Sequence, residues 1–424
     1  MRKNSLSYPV EFTTDVFGKE NDTLAEVLRK VTGSERPRMM LVADMNVVQH
    51  TEGLGTRIGA YVQEHGIELA ASPVVIAGGE KIKCDSLRSA VQVVSAALDA
   101  KIGCNDAMLV LGGGTLFDVA GWAAAQVRGG VKLVRVPTTP AAMMDAAYAE
   151  FAAVDSATVK DALRVPSVPA AVVIDTGFAA SVLDGVWRGG IGEAVRLAVA
   201  SDSALLKKVE SLADAYRDRD GSALSEIVRA VHAVRAKKGG TRLAQWAALR
   251  LESMSGYKLP HGYAVAIGVC IDLGYAVQKG LLKPADRDRV VELLRSCGAL
   301  DGLAHSGHLL GQADNLLCGI DAWTLSFGTE AFPVCQGLGH ELRHQVVQPP
   351  ADRMRLFGPA LHRIGVLGDR RARHRVDELD AKHMLADGAG AQGQGHAPGG
   401  IQRSGCPDIS VHVGPQGIIG EAAV

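Results

Sequence analysis

The sequence predicts an α/β protein: an N-terminal parallel-sheet dinucleotide-binding domain followed by an all-helical domain. Three observations carry this. Apolar strand-like runs alternate with helical patterns over the first 175 residues, which is the pattern of a parallel sheet covered by helices. Gly112, Gly113 and Gly114 stand between an apolar run and an Ala-rich helical pattern. Beyond residue 178 the strand signal fades and only helical spacing remains.

The elements follow in order. Residues 39–43 are apolar and strand-like, 54–65 have helical spacing, 73–77 form a strand ending in Gly78 and Gly79, and 84–101 form an amphipathic helix. Residues 107–111 make a buried strand that breaks into the glycine triplet. A helix follows over 118–127, then a strand over 132–136 ending in Pro137, Thr138 and Thr139. Glycines at such a corner let the backbone approach a pyrophosphate, and the helix N-terminus offers free N–H groups. Two hydroxyls at the next strand end suit a ribose or a nicotinamide. Residues 170–174 close this half. Helices are predicted over 182–200, 203–216, 223–237, 243–254, 263–279 and 284–297, giving domains of 1–177 and 178–300 with a cleft between them as the expected substrate site. In a parallel sheet, ligands sit at the carboxyl ends of strands, where Asp44, Asn46, Glu80, Lys83, Thr138 and Thr139 all fall.

Residues 301–424 differ. Nine of the thirteen histidines lie there against one lysine, Lys382, and 387–405 is mostly Gly, Ala, Gln, Pro and Ser. The histidine spacings form no ligand motif, so an atypical, poorly packed extension is expected, of the kind a shifted reading frame also produces. The net charge of −1 and 4% aromatics give no reason to expect a nucleic acid or membrane partner. Seven dispersed cysteines without a CxxC, no signal-like N-terminus and no long apolar run read as a cytoplasmic protein with reduced thiols.

LGGGTLFDVAG followed by RVPTT resembles the core of the 3-dehydroquinate synthases and related sugar phosphate cyclases, over roughly residues 35–300. Iron-dependent alcohol and glycerol dehydrogenases share the general plan. The resemblance implies an NAD site made of Asp44, Asn46, Glu80, Lys83, Gly113, Gly114, Asp118, Thr138 and Thr139. Phe117 replaces a small residue and is expected to crowd the turn. It also makes the second domain a metal-site domain, in which a glutamate and two histidines hold zinc or cobalt. Glu193 matches the glutamate and His261 the second histidine. Gln245, sixteen residues before His261, stands where the first histidine should be, with Leu249 four residues on. A metal is therefore expected to be weakly held, because an amide oxygen is a poor zinc ligand. Asp145 matches an aspartate at the substrate, Lys160 a substrate lysine and Arg196 the lysine of the glutamate helix. Arg128 falls one residue from a phosphate-binding arginine, and Phe151 replaces a further lysine. His50, His65 and His232 have no partners in sequence and read as structural.

The chemistry implied is that of a carbon–oxygen lyase. NAD oxidises a ring hydroxyl of a heptulosonate-type sugar phosphate, phosphate leaves by β-elimination, the hydride returns, and an intramolecular aldol step closes a carbocycle. The metal acts as a Lewis acid. The expected partner is a small-molecule sugar phosphate, and a homodimer is compatible with this reading. Two alternatives stand beside it: a metal-dependent alcohol or polyol dehydrogenase, which would release NADH, and a degenerate homologue that binds only NAD or a protein partner.

Overall fold

The structure is a computed structural model that describes residues 6–155 and 160–301. The expectations for 302–424 lie outside the described residues. The strands are β1 (Val10–Thr13), β2 (Arg38–Asp44), β3 (Glu68–Leu69), β4 (Val74–Ile76), β5 (Ala107–Gly112), β6 (Lys132–Pro137), β7 (Phe151–Val154), β8 (Leu163–Pro166) and β9 (Ala171–Asp175). Seven form one sheet in the order β1-β9-β6-β5-β2-β3, with β4 pairing the far half of β2. Every pairing in it is parallel: β2 meets β5 from Met39↔Ala107 to Ala43↔Leu111, and β5 meets β6 from Ala107↔Lys132 to Gly112↔Pro137. Strand ends Asp44, Ile76, Gly112, Pro137 and Asp175 therefore share one edge.

Both faces of the sheet are covered, which is why its central strands read as unbroken apolar runs. Met40, Val42, Met108 and Val110 face one core, and Met39, Leu41, Leu109 and Leu111 face the other. The helices of this half are α1 (Thr23–Thr32), α2 (Met45–His50), α3 (Leu54–Glu64), α4 (Arg88–Asp99), α5 (Gly114–Gln126) and α6 (Pro140–Met144). From there on, among the described residues, the chain is helical: α7 (Asp184–Ser201), α8 (Ser203–Ser211), α9 (Ala213–Arg217), α10 (Gly221–Lys238), α11 (Gln245–Met254), α12 (His261–Gln278) and α13 (Pro284–Ser296). One apolar cluster runs across the junction, joining Met143 and Met144 of α6 to Trp187, Ile191 and Ala194 of α7.

Several elements differ from the sequence reading. β1 and α1 precede the first expected strand. β7 and β8 form an antiparallel hairpin where no strand was expected. The single helix expected over 203–216 is two, broken at Leu212. The glycine-corner helix starts at Gly114, so Asp118 lies in its second turn. No described helix is long and apolar enough to cross a membrane.

Candidate active site

The glycine corner is built by close packing. A Cβ on Gly112 would meet Leu116 Cδ2 at 2.7 Å and Asp44 Cβ at 3.2 Å, and one on Gly114 would meet Ala146 Cβ at 2.9 Å. A Cβ on Gly78 would strike Asn46 Nδ2 and Asp44 Oδ2, each at 2.5 Å. Asp44 itself accepts the backbone N–H of Asn46 at 2.8 Å, so it also caps α2. Thr139 caps α6 by accepting from Ala142 N at 3.2 Å. Thr138 is 1% exposed, and its hydroxyl oxygen is buried without a hydrogen-bond partner. Phe117 does not crowd the turn. It points into the core, with the guanidinium of Arg135 5.6 Å from its ring centre. Arg135 in turn donates to the carbonyls of Ala147 (3.2 Å), Ala149 (2.6 Å) and Ser167 (2.8 Å), fixing the segment after Asp145. A helix N-terminus without Cβ atoms at its approach, together with an unpaired buried hydroxyl, fits a dinucleotide.

A charged network starts at this corner. Glu80 accepts from Thr115 Oγ1 at 2.8 Å and from Lys160 Nζ at 2.7 Å. Burial alone would raise its carboxyl, but Lys160 and then Lys83 outweigh that and hold it at about 2. Lys83 is buried, 2.7 Å from Asp118 and 3.0 Å from Asp161. Asp118 also accepts from Ala153 N at 3.1 Å, which ties β7 to α5. Lys160 continues the chain, 3.4 Å from buried Asp155 and 3.8 Å from buried Glu252.

Glu252 leads to the second cluster. His261 is the first residue of α12. Its Nδ1 lies 2.6 Å from Glu252 Oε1 and its Nε2 lies 3.2 Å from Glu193 Oε1. Desolvation would lower the imidazole, but Glu252 and Glu193 outweigh it and raise it well above its ordinary value. Glu193 and Arg196 share a face of α7 and are an ion pair inside the protein, not on its surface. Arg196 Nη2 reaches Asp145 Oδ1 at 2.8 Å, and Arg235 of α10 pairs with the same oxygen. Burial alone would raise Asp145, yet Arg196 and then Arg235 hold it well below the usual carboxylate range. The approach of α7 to α12 is possible because glycines face each other there: a Cβ on Gly192 would meet Gly262 O at 3.0 Å.

Among the sequence candidates, the structure brings Glu80, Lys83, Asp118 and Lys160 together, and Asp145, Glu193, Arg196 and His261 together. Gln245 joins neither group. It is exposed at the start of α11 and makes no side-chain hydrogen bond or ion pair among the described residues. Helix α11 meets His261 through Glu252, seven residues and about 10 Å farther along its axis. Among the described residues no group of three His, Cys, Asp or Glu is arranged to hold a metal. The donor set expected from the resemblance therefore does not fit a divalent ion here. Arg128 is exposed in the turn after α5, about 20 Å from the glycine corner, and makes no ion pair among the described residues. Phe151 lies on β7, 45% exposed beneath Arg164. His50, His65 and His232 contact Asn46 O, Asp22 and Tyr148. Sequence reasoning missed Glu252, Asp155 and Arg235. Only Glu252 carried a signal, sharing a helix face with Gln245 at i+7.

Two family models match parts of the chain. Residues 73–186 match the family model of the 3-dehydroquinate synthase N-terminal region, and residues 244–304 that of the C-terminal region. The chain is similar to 3-dehydroquinate synthase of Rhodospirillum rubrum, 29% identical over 79% of this chain and 88% of that protein. It is also similar to 2-epi-5-epi-valiolone synthase of an Actinoplanes species, 28% identical over 70% of this chain and 77% of that protein. Among solved structures, 2-epi-5-epi-valiolone synthase from Streptomyces hygroscopicus, with NAD+ and Zn2+ bound, has a TM-score of 0.63 at 23% identity, covering 78% of this chain and 91% of that one. A 2-deoxy-scyllo-inosose synthase complexed with carbaglucose-6-phosphate, NAD+ and Co2+ gives 0.55 at 19% identity, covering 69% and 78%. These two show a shared fold.

Proposed function

Because the chain is a divergent member of the 3-dehydroquinate synthase-like family, we propose that its cleft binds NAD and a phosphorylated sugar and runs the cyclase chemistry of that family. The observation that supports this most directly is Lys160. One ammonium lies 2.7 Å from Glu80 at the cofactor corner and 3.8 Å from Glu252 behind His261. The groups that hold a dinucleotide and the groups that move protons thus share one continuous polar wall.

In this reading residues 1–177 hold the cofactor, and the cluster of residues 178–300 faces the sugar. Gly112, Gly113 and Gly114 and the first N–H groups of α5 receive the pyrophosphate. Glu80 accepts ribose hydroxyls in place of the Thr115 hydroxyl. Bound NAD supplies reversible hydride transfer at a ring hydroxyl. His261 exchanges a proton at Nε2, with Glu252 holding its Nδ1–H and so its ring orientation. Asp145, kept anionic by Arg196 and Arg235, accepts a hydrogen bond from a sugar hydroxyl. Lys160 supplies positive charge toward the departing phosphate. No step is routed through a metal, since the residues present do not form its site.

The substrate class proposed is a seven-carbon sugar phosphate. The test is incubation of the purified chain with NAD and a heptulosonate phosphate. Phosphate release without net NADH supports the cyclase. Stoichiometric NADH from a polyol points instead to a dehydrogenase, an activity named among proteins of this fold, such as a "probable glycerol dehydrogenase" from Sinorhizobium meliloti at a TM-score of 0.52. The outward placement of Gln245 and the exposure of Phe151 favour a second reading, a homologue that binds NAD without turnover. NAD binding with neither product would establish that reading.

A further inference from the structure

We propose that Arg196 is the fixed cation of this centre, standing in for the divalent metal expected from the family resemblance, and that the chain folds and binds NAD without a metal.

Divalent sites need at least three donors with free lone pairs converging on one point. Here no such convergence exists: among the described residues no three His, Cys, Asp or Glu are arranged to hold one ion. One oxygen of Glu193 is in ion-pair contact with Arg196 Nε, and the other lies 3.2 Å from His261 Nε2. His261 Nδ1 faces Glu252 at 2.6 Å, which orients the ring and leaves Nε2, already beside Glu193, as its one outward nitrogen. The remaining family position, Gln245, is exposed and engages neither residue. A cation added beside Glu193 would also meet the guanidinium already seated on that carboxylate.

Arg196 is held where such a role requires. Its side chain is 6% exposed, and Nη2 lies 2.8 Å from Asp145 while Nε faces Glu193. Nη1 points toward Leu243 O at 3.4 Å. A guanidinium keeps its charge at every working pH, and its planar fork can face two carboxylates at once. The lysine of the resembling family carries a compact charge without the planar fork that here sets Nε against Glu193 and Nη2 against Asp145. In this proposal the cation is supplied on α7 by Arg196, while Gln245 brings no ligand from α11.

The test uses the full chain, purified from medium rich in zinc and cobalt and then dialysed. Metal content, the melting temperature with and without EDTA or added zinc, and calorimetric NAD affinity with and without EDTA are measured. The expected result is far less than one metal per chain, a melting temperature unmoved by EDTA or zinc, and NAD affinity changed less than twofold. One zinc or cobalt per chain after dialysis, or a fall in melting temperature with EDTA, overturns the proposal. Metal content and melting need no substrate or cofactor, so their outcome stands even if the cyclase reading fails. Arg196→Met should melt lower than wild type and recover in part with zinc, whereas Arg196→Lys should lose less stability and show no recovery with zinc. An Arg196→Met protein as stable as wild type and indifferent to zinc removes Arg196 from the role. If that variant does not fold, the Arg196→Lys and wild-type measurements decide.

Discussion

Gly262 of α12 lies directly against the backbone of Gly189 of α7: a Cβ built on Gly262 would come within 2.8 Å of Gly189 Cα and closer still to its carbonyl group. The contact is backbone on backbone, so no side chain can swing aside to relieve it. Gly262 immediately follows His261, and Gly189 is one turn before Glu193. We expect Gly262→Ala to cost about 2 kcal/mol or more through overpacking and to part His261 from Glu193. Urea denaturation checks this, and a variant as stable as wild type would refute the close crossing.

The proposed NAD corner yields a sharper test. Gly114→Asp adds a carboxylate at the helix N-terminus, where Ala146 leaves no room for a Cβ without movement. NAD binding should weaken at least tenfold, about 1.4 kcal/mol. Calorimetry that finds equal affinity would show that the dinucleotide does not use this corner.

Glu80 sets one arm of the acid response. Its folded value of about 2 lies below the ordinary 4.5, so its ion pairs stabilise the folded chain above pH 4.5. That stability, on the order of 3 kcal/mol, is lost as pH falls through 4.5 toward 2. Glu80→Gln should flatten the loss over this window. Identical acid unfolding of variant and wild type would count against the Lys160 pairing.

Asp272 works in the opposite sense. Burial raises it to about 6 from 3.8, although it accepts Ala244 N at 2.7 Å and Trp246 Nε1 at 3.0 Å at the head of α11. The folded state takes up its proton first. Stability from this group is therefore fully present below pH 3.8 and lost as pH rises through 6, by roughly 3 kcal/mol. Melting temperature followed from pH 7 to 5 should rise in the wild type, and Asp272→Asn should remove that group's share of the rise. An unchanged profile in the variant would contradict it.

What the sequence disclosed follows from burial. β2 and β5 were legible because both faces are covered, leaving runs such as MLVLG with no polar break, and β6 was legible in spite of Arg135. β8, LRVP, keeps most of its residues in solvent and so carries no apolar pattern. Glycine spacing located the tight corner between β5 and α5, because small residues there answer a local steric demand. It did not foresee that Phe117 turns inward beneath Arg135, which depends on a residue eighteen positions away. The second cluster was half legible. Glu193 and His261 sit on a helix and at a helix start whose spacing survives, whereas Glu252 and Arg235 acquire meaning only when α10, α11 and α12 converge on α7. Gln245 was expected at the centre because its interval to His261 was taken for proximity, whereas that interval crosses from α11 to α12 and fixes no distance between them.

The clamp that Arg135 places on the carbonyls of Ala147 and Ala149 has a consequence for motion. Asp145 is joined directly to a segment whose peptide oxygens are spent on a buried guanidinium in the central sheet. Such a segment does not swing as a cover. In the proposed reaction Asp145 would meet the sugar as a standing wall, already charged and already aimed. The cost of arranging it is met when the chain folds and not at each encounter, so this side of the cleft adds no slow rearrangement to the association of a ligand.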